Sequence, residues 1–232
     1  MGKMRIALVS DTHLGYARGT PRGEDAYLAL KQAFEGIIRE APDVIVHPGD
    51  LFDHKIPDQG VWDEAFSLFR QLQRAPASSV RISHTPREGT PQDFHFHGIP
   101  VVAIAGTHEY RSKGLTNALH VLHTGNFLVC LHASHATVEK QLQDGSTERV
   151  IIHGMSGIPE KRALEALKMY NPKPLAGAHN LLVLHQSIKE FLPSKDDMVA
   201  TIGLEDLPSG FDLLVNGHLH WTSLTEWEGK RL

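Results

Sequence analysis

The sequence predicts an α/β fold, because short apolar strands alternate with amphipathic helices along its 232 residues. Helices are expected at residues 24–40 and 60–73, where apolar side chains recur at helical spacing on one face. A third helix is expected from Pro159, which suits a first helical turn, to Tyr170. The apolar runs predict strands at residues 5–10, 43–47, 100–105, 126–131, 149–153, 180–184, 212–216 and 222–228.

The segment between Arg74 and Pro100 does not fit this alternation. It is rich in Ser, Pro, Thr and His, and it is long for a connection inside a compact domain. Two interpretations stay open: a surface excursion, or an extra hairpin in which residues 79–82 form a short strand. No stretch has the composition of a linker, so residues 1–232 are predicted to form a single domain.

The composition excludes several classes of protein. A single cysteine, Cys130, allows neither an internal disulfide nor a cysteine-based metal site. No apolar run is long enough to span a bilayer, and residues 4–9 are too short for a signal-peptide core. We therefore expect a cytoplasmic protein without a membrane contact. The 23 Lys and Arg residues against 27 Asp and Glu residues give a net charge of −4, which neither indicates nor excludes a nucleic-acid binder.

Asp and His residues follow five of the predicted strands. In open α/β sheets, ligands bind beyond the carboxyl ends of the strands, so such residues can converge on one point. One of these patterns alone occurs by chance, but five in succession predict a site. The five patterns are Asp11-Thr12-His13, Pro48-Gly49-Asp50, Gly106-Thr107-His108-Glu109, His185-Gln186 and Gly217-His218-Leu219-His220.

This mixture of side chains suits a particular chemistry. Imidazole and carboxylate together favour Mn, Fe or Zn over Mg or Ca. Two such ions, held roughly 3.5–4 Å apart, can clamp the attacking and leaving oxygens of a displacement at phosphorus. Glycines precede Asp50 and His218, and they permit the sharp turn that aims each side chain at the crevice.

The order of these motifs resembles that of the calcineurin-like metallophosphoesterase superfamily. Within it, the chain is most similar to the SbcD/Mre group of double-strand-break repair nucleases. The closer resemblance rests on residues 11–16, 49–53, 152–154 and 206–212, and it covers essentially the whole chain. It implies a four-layer αββα sandwich of two mixed sheets flanked by helices, the metallo-dependent phosphatase fold.

The resemblance also implies a role for each site residue. Two divalent ions are expected, Mn²⁺ above all, with Fe or Zn as alternatives, and Asp50 bridges them. A metal-bridging water is the expected nucleophile, while His108 assists the leaving oxygen and Glu109 orients His108. The implied ligands are Asp11, His13, Asp50 and His220 for one ion, and Asp50, Thr107, His185 and His218 for the other.

Two features depart from the family pattern. Position 107 is Thr where the family has Asn, and a hydroxyl is a shorter and weaker ligand, so we expect the second ion to bind less tightly. Family nucleases also carry a capping domain and a segment that binds an SMC-like repair ATPase, and both are expected to be absent from this chain.

The resemblance implies a metal-dependent DNA exonuclease or endonuclease. Two alternatives stay open: a phosphodiesterase for small substrates such as cyclic nucleotides, and a non-catalytic scaffold that retains the fold. A homodimer is expected if the exposed face of the first two helices is apolar. The loop at residues 15–22 is either a phosphate-contacting strip for DNA or an ordinary solvated loop. His54 and His153 are further candidates for a metal role.

Overall fold

A computed structural model describes residues 3–111, 114–192, 201–220, 222–227 and 230–231. The described helices are α1 (Asp25–Glu40), α2 (Gln59–Arg74), α3 (Ala118–Thr124) and α4 (Glu160–Tyr170), with short 3-10 helices at Lys189–Phe191 and Leu204–Asp206. The described strands are β1 (Ile6–Leu8), β2 (Val44–His47), β3 (Val80–Thr85), β4 (Gln92–Phe94), β5 (Val101–Ile104), β6 (Val129–Leu131), β7 (Ser134–Gln141), β8 (Thr147–Gly154), β9 (His179–His185), β10 (Leu213–Gly217), β11 (Glu226–Trp227) and β12 (Lys230–Arg231).

These strands form two sheets. The smaller sheet has the order β1-β2-β5-β6, and its described pairings are all parallel. The larger sheet has the order β11-β12-β10-β9-β8-β7-β3-β4 and mixes parallel with antiparallel pairings. The predicted α/β sandwich of two sheets flanked by helices is confirmed.

Three apolar clusters define four layers. Helices α1, α2 and α3 cover one face of the smaller sheet, where Phe34 and Leu68 pack with Ile45. The second cluster fills the space between the two sheets. Helix α4 covers the outer face of the larger sheet, where Leu167 packs with Leu182. The layers therefore follow the order helices, smaller sheet, larger sheet, helix.

Burial on both faces explains the sequence of the smaller sheet. In β2, Val44 and Val46 face the larger sheet, whereas Ile45 faces the helices. Because both faces are covered, every residue of β2 and of β5 is buried. Such strands are continuously apolar, as parallel strands between helices and a second layer require.

The structure extends the predicted set of elements. The segment between Arg74 and Pro100 contains the hairpin of β3 and β4, which decides between the two interpretations of this region. Strand β7 and helix α3 were not expected from the sequence. The strand predicted at 222–228 is reduced to Glu226–Trp227 in the described part, and residue 228 lies outside the described residues. No helix in the described ranges is long and apolar enough to cross a membrane.

Candidate metal centre

The backbone after three strands adopts a left-handed conformation at four residues. The φ angles are 52° at Asp11, 45° at His13, 51° at Asp50 and 86° at His218. Asp and His tolerate this region better than most residues, although it remains less favourable than a right-handed conformation. These turns bring the side chains that follow β1, β2 and β10 to the same edge of the two sheets.

Seven of the predicted site residues form three overlapping groups. The ligand atoms within each group all lie within 4.8 Å of one another. Because His13 and Asp50 each belong to two groups, the three groups make one continuous site. The groups are Asp11, His13 and His220; His13, Asp50 and His108; and Asp50, His185 and His218.

The tautomer of His185 shows why this site suits a cation. Its Nδ1 lies 2.7 Å from the carbonyl oxygen of Pro48, which can only accept a hydrogen bond, so Nδ1 carries the proton. In the neutral ring, Nε2 then presents a lone pair to Oδ2 of Asp50, 3.1 Å away. Two acceptors face each other at this distance only when a proton or a metal ion lies between them. Both residues are buried.

The pKa values of Asp50 and His185 are shifted by the attraction between the two side chains. Burial alone would raise the pKa of Asp50, but the hydrogen bond and charge of His185 outweigh it and lower that pKa to about 2. Burial alone would lower the pKa of His185, but its contact with Asp50 raises it. The site therefore stabilises an anionic carboxylate beside a positive charge.

His13 is oriented by a carboxylate outside the predicted set. Its Nδ1 lies 3.1 Å from Oδ1 of Asp53, so Nδ1 is the donor and Nε2 is the free lone pair. That Nε2 lies 3.1 Å from Nε2 of His220 and 3.9 Å from Oδ2 of Asp50. Burial lowers the pKa of His13, which favours the neutral ring that a metal requires.

Asp11 is fixed by its neighbours. Its Oδ1 accepts a hydrogen bond from the backbone N–H of His218 at 3.0 Å, and its Oδ2 accepts one from the hydroxyl of Ser10. Oδ1 also lies 3.7 Å from Nε2 of His220. Asp11 thus joins the turn after β1 to the turn after β10.

His108 sits over the site with its ring fixed at one nitrogen. Its Nδ1 donates to the carbonyl oxygen of Asp53 at 2.7 Å, which leaves Nε2 as the nitrogen available to a substrate. Its backbone N–H donates to Oδ1 of Asp50 at 2.8 Å. The ring of His108 packs edge-on against that of His13, with centroids 4.6 Å apart.

Glu109 does not orient His108, contrary to expectation. Its carboxylate is fully buried and accepts backbone N–H groups from Asp50 at 3.1 Å, Phe52 at 2.7 Å and Gly106 at 2.7 Å. Burial raises the pKa of Glu109 to about 7, although these hydrogen bonds act in the opposite direction. Glu109 therefore clamps the loop that carries Asp50, and it touches no position that a substrate could reach.

Thr107 lies half-buried at the edge of the site. Its carbonyl oxygen accepts the backbone N–H of Tyr110 at 3.3 Å. The loop after β8 approaches closely, because a Cβ added at Gly157 would lie 2.7 Å from the backbone nitrogen of Thr107. A metal role for Thr107 stays a prediction.

The other candidates lie around or outside the ligand groups. His54 is exposed and pairs with Oδ2 of Asp53 at 3.0 Å. His153 lies away from the site, with Nε2 at 3.3 Å from the side-chain oxygen of Asn180 and its ring against Phe211. His47 is buried beneath the site, and burial lowers its pKa to about 4.

The loop at residues 15–22 has no unpaired arginine. Arg18 contacts Asp58 at 3.0 Å and Glu64 at 3.1 Å. Arg22 contacts Asp25 at 2.8 Å, and its guanidinium lies over the Tyr16 ring. These contacts favour the solvated-loop interpretation over the phosphate-contacting strip.

Asp53 is the site residue that the sequence alone did not reveal. It stood in the quoted motif at residues 49–53, but nothing in the sequence assigned it a role. Its carboxylate holds His13 and its backbone carbonyl holds His108. A carboxylate three residues after the predicted bridging residue was the available signal.

Comparisons with known proteins agree with this geometry. The family model for calcineurin-like phosphoesterases matches residues 4–222. The chain is 28% identical over 240 residues to the DNA double-strand break repair protein Mre11 of Sulfurisphaera tokodaii, covering 100% of this chain and 53% of that protein. It is 26% identical over 242 residues to the protein of the same name from Archaeoglobus fulgidus, covering 99% and 48%. The double-strand break repair protein MRE11 of Encephalitozoon cuniculi is 26% identical over 237 residues, covering 94% and 39%. The chain spans about half the length of the curated relatives it matches.

Two stacked sheets between helices, with a continuous Asp and His cluster at their strand ends, define a metallo-dependent phosphoesterase fold. The chain belongs to the calcineurin-like phosphoesterase family. The resemblance to the family and to its double-strand-break repair members is confirmed. Members of this family use divalent metal ions, and the Asp and His groups described above provide candidate ligands for them.

Proposed function

We propose that this chain is the catalytic domain of a metal-dependent phosphodiesterase that cleaves DNA, as an exonuclease or an endonuclease. The observation that carries the proposal is that Asp50 belongs to two groups of potential metal ligands. A shared carboxylate can bridge two ions, and a two-ion site suits displacement at phosphorus. The names of the relatives, which refer to DNA double-strand break repair, support DNA as the substrate.

The donor set fits two ions. Asp11, His13, Asp50 and His220 would hold one, and Asp50, His185 and His218 would hold the other, with Thr107 as a further ligand. Mixed imidazole and carboxylate ligands favour Mn²⁺, and Fe or Zn are alternatives. When bound, the ions supply Lewis-acid polarisation of the phosphodiester and acidify water near neutral pH.

The chain's own residues divide the remaining work. His108 is held at Nδ1 by the carbonyl of Asp53, so a protonated ring can deliver the Nε2 proton to the leaving oxygen. Glu109 keeps the turn around Asp50 in shape through three backbone hydrogen bonds. Asp53 fixes the tautomer of His13, so that Nε2 faces the ions.

Cleavage in the presence and absence of metal tests this proposal. We expect protein treated with a chelator to be inactive on DNA and on a chromogenic bis-aryl phosphodiester, and we expect Mn²⁺ to restore both activities. Asp50→Asn should remain inactive with Mn²⁺, whereas Asp63→Asn, an exposed change on α2, should behave as wild type. Equal cleavage with and without chelator would refute the proposal.

A phosphodiesterase for small substrates is the second candidate. The pairing of Arg18 and Arg22 with carboxylates and the net charge of −4 favour it, because they leave little positive charge beside the site. Binding of DNA through its phosphates weakens steeply with salt, whereas turnover of a cyclic nucleotide depends on salt much less. Turnover of a cyclic nucleotide without DNA cleavage at low salt would select the second candidate. No cleavage of any substrate by Mn-loaded protein would indicate a scaffold.

The proposed partners follow from the same relatives. DNA is the proposed substrate, and a repair ATPase of the SMC type is a proposed partner for a protein that contains this domain. A homodimer also stays a proposal. Sedimentation of the chain with and without DNA would test the DNA complex and the homodimer, and sedimentation with an added SMC-type repair ATPase would test the third proposal.

A further inference from the structure

A carboxylate on α4 faces the metal centre from outside the predicted ligand set. Oε1 of Glu160 lies 3.7 Å from Nε2 of His218, and it also accepts a hydrogen bond from the hydroxyl of Ser187. Oε2 of Glu160 is buried and has no hydrogen-bond partner in the described part of the chain. A buried acceptor without a partner is unfavourable by roughly 1–3 kcal/mol, so this oxygen requires an explanation.

Rigid elements hold Glu160 in this place. It begins α4, whose residues Ala163 and Leu167 pack in the apolar cluster on the larger sheet. The preceding loop is fixed by two backbone hydrogen bonds: Met155 donates to Val183 at 3.0 Å, and Gly157 donates to Ala105 at 2.7 Å. The Glu160 side chain is therefore a fixed part of the rim above β9 and β10. It is not a freely moving surface group.

Two other histidines of the site, His13 and His185, share one arrangement. The Nδ1 of His185 donates to a backbone carbonyl and that of His13 donates to a carboxylate, so each turns its Nε2 toward the ligand groups. Histidines that bind metal usually give their second ring N–H to such an acceptor, which fixes both the tautomer and the ring plane. For His218, Glu160 is the one carboxylate within 4.0 Å of a ring nitrogen among the described residues.

We propose that Glu160 is the positioning residue for His218, and that Ser187 holds Glu160 in register. The inference rests on the proposed metal centre. Nδ1 of His218 binds the ion, and Glu160 accepts the proton of Nε2. The separation of 3.7 Å exceeds a hydrogen bond, and it would shorten if a bound ion fixed the ring with Nε2 toward Glu160.

The subsite that Glu160 supports is the one that contains Thr107. A Thr hydroxyl reaches less far than an Asn side chain, so His185 and His218 carry more of the binding there. Fixing the ring of His218 reduces the freedom that binding must remove, which compensates for a weak neighbouring ligand. Loss of Glu160 should therefore affect one ion much more than the other.

Calorimetric titration of Mn²⁺ into metal-free protein tests this inference. Glu160→Ala should weaken one of the two sites by about 10–100-fold, the range for loss of such an outer partner, and should leave the other site unchanged. Ser187→Ala should shift the same site in the same direction by less. Glu165→Ala, an exposed carboxylate on the same helix, is the matched control and should bind as wild type.

Melting temperature in chelator separates a positioning role from a merely structural one. Glu160→Ala removes the buried oxygen that lacks a partner and also the acceptor of the Ser187 hydroxyl, so these effects oppose each other and its metal-free form should melt close to wild type. If Glu160→Ala binds two Mn²⁺ ions with the same affinities as wild type, the inference is wrong and the proposed function still stands. Wild-type protein that binds no Mn²⁺ would overturn the metal centre and the inference with it. If Glu160→Ala does not fold, unchanged affinity in Ser187→Ala overturns the inference.

Discussion

The ring of His108 lies over the metal centre but is anchored to the protein through the Asp53 carbonyl, 2.7 Å from Nδ1. We predict that His108→Gln keeps both ions and loses at least about a hundredfold in rate, the lower range for proton transfer by a positioned side chain. Metal content and the rate on a bis-aryl phosphodiester should be measured on the same preparation. Loss of an ion from this variant would show that His108 is a metal ligand.

The side chain of Asp53 acts on His13, while its backbone carbonyl acts on His108. Asp53→Ala removes the 3.1 Å contact with His13 and the 3.0 Å contact with the exposed His54, and it keeps the backbone carbonyl that holds His108. We predict a loss of roughly 10–100-fold in affinity for the ion that His13 holds, because the ring is no longer fixed. Titration with Mn²⁺ measures this, and Asp63→Ala is the exposed control. An unchanged affinity would mean that packing alone positions His13.

Thr107 is the residue where this chain departs from the family motif. We predict sequential binding of Mn²⁺, with one tight site and one weaker site. Thr107→Asn should tighten the weaker site about tenfold, which corresponds to about 1.4 kcal/mol, and should lower the Mn²⁺ concentration for half-maximal activity. The close approach of Gly157 offers a rival explanation, in which Thr107 simply packs against that loop. Equal binding by both proteins would favour the packing explanation.

Among the elements, β7 is joined to the smaller sheet by a buried ion pair. Nζ of Lys140 lies 2.8 Å from Oδ2 of Asp43, and the same oxygen accepts the backbone N–H of Arg5 at 2.7 Å. We predict that Asp43→Asn lowers the free energy of unfolding by about 3–5 kcal/mol, because it leaves a buried ammonium without a counter-charge.

Urea denaturation of the Asp43 variant needs two comparisons. Adding Lys140→Met to Asp43→Asn should recover much of the loss, because the unpaired charge is then gone. Glu139 lies on the same strand as Lys140 and forms a more exposed pair with Arg149 on β8. Glu139→Gln breaks that pair and should change the stability by less than about 1 kcal/mol. A loss of similar size in both single variants would argue against a special role for the buried pair.

The same pair explains why β7 could not be predicted. Its buried positions alternate as Ser134, Ala136, Val138 and Lys140, so only two of the four are apolar. A period of two is therefore present in burial but not in hydrophobicity. By contrast, β2 and β5 are apolar at nearly every position, and their prediction from the sequence was correct.

The candidate site was predictable only where local sequence patterns mark its residues. Motif order and strand ends pointed to the residues that the structure brings together, since each follows its strand directly. The contact of Asp53 with His13 spans 40 residues of sequence, and the proposed contact of Glu160 with His218 spans 58. No local pattern encodes either contact. The role of Glu109 was misjudged because its partners are backbone N–H groups, which a sequence does not display.

At the scale of the whole molecule, metal binding should be linked to folding. Asp50 and His185 are buried beside each other in the folded state, so an ion held by both would bind that state alone. At a Mn²⁺ concentration of about 100 times Kd, one site should stabilise the fold by about 2.7 kcal/mol, which raises Tm by roughly 5–10 °C. Asp50→Asn should lose this shift. Equal melting of wild type with Mn²⁺ and with chelator would contradict the linkage.

The exposed surface of α1 and α2 bears on self-association. Leu28 is the one large apolar residue exposed on these two helices, and the other exposed positions are mostly polar. A homodimer was expected if the exposed face of these two helices is apolar. One exposed apolar residue meets that condition only weakly. A homodimer stays a prediction, and Leu28→Glu is the change that would disrupt it through these helices.

The left-handed backbone at Asp11, His13, Asp50 and His218 also constrains how such a protein can evolve. Glycine adopts this conformation without the steric clash of a Cβ, and other residues there are less favourable by roughly 1 kcal/mol each. A lineage released from selection for catalysis would gain stability most readily by accepting glycine at His13 or His218, because the carboxylates of Asp11 and Asp50 each accept a backbone hydrogen bond that glycine would lose. A substitution that abolishes activity at such a turn can therefore raise the free energy of unfolding. Catalytically inactive descendants should therefore carry glycine at these strand ends before the residues of their hydrophobic cores change.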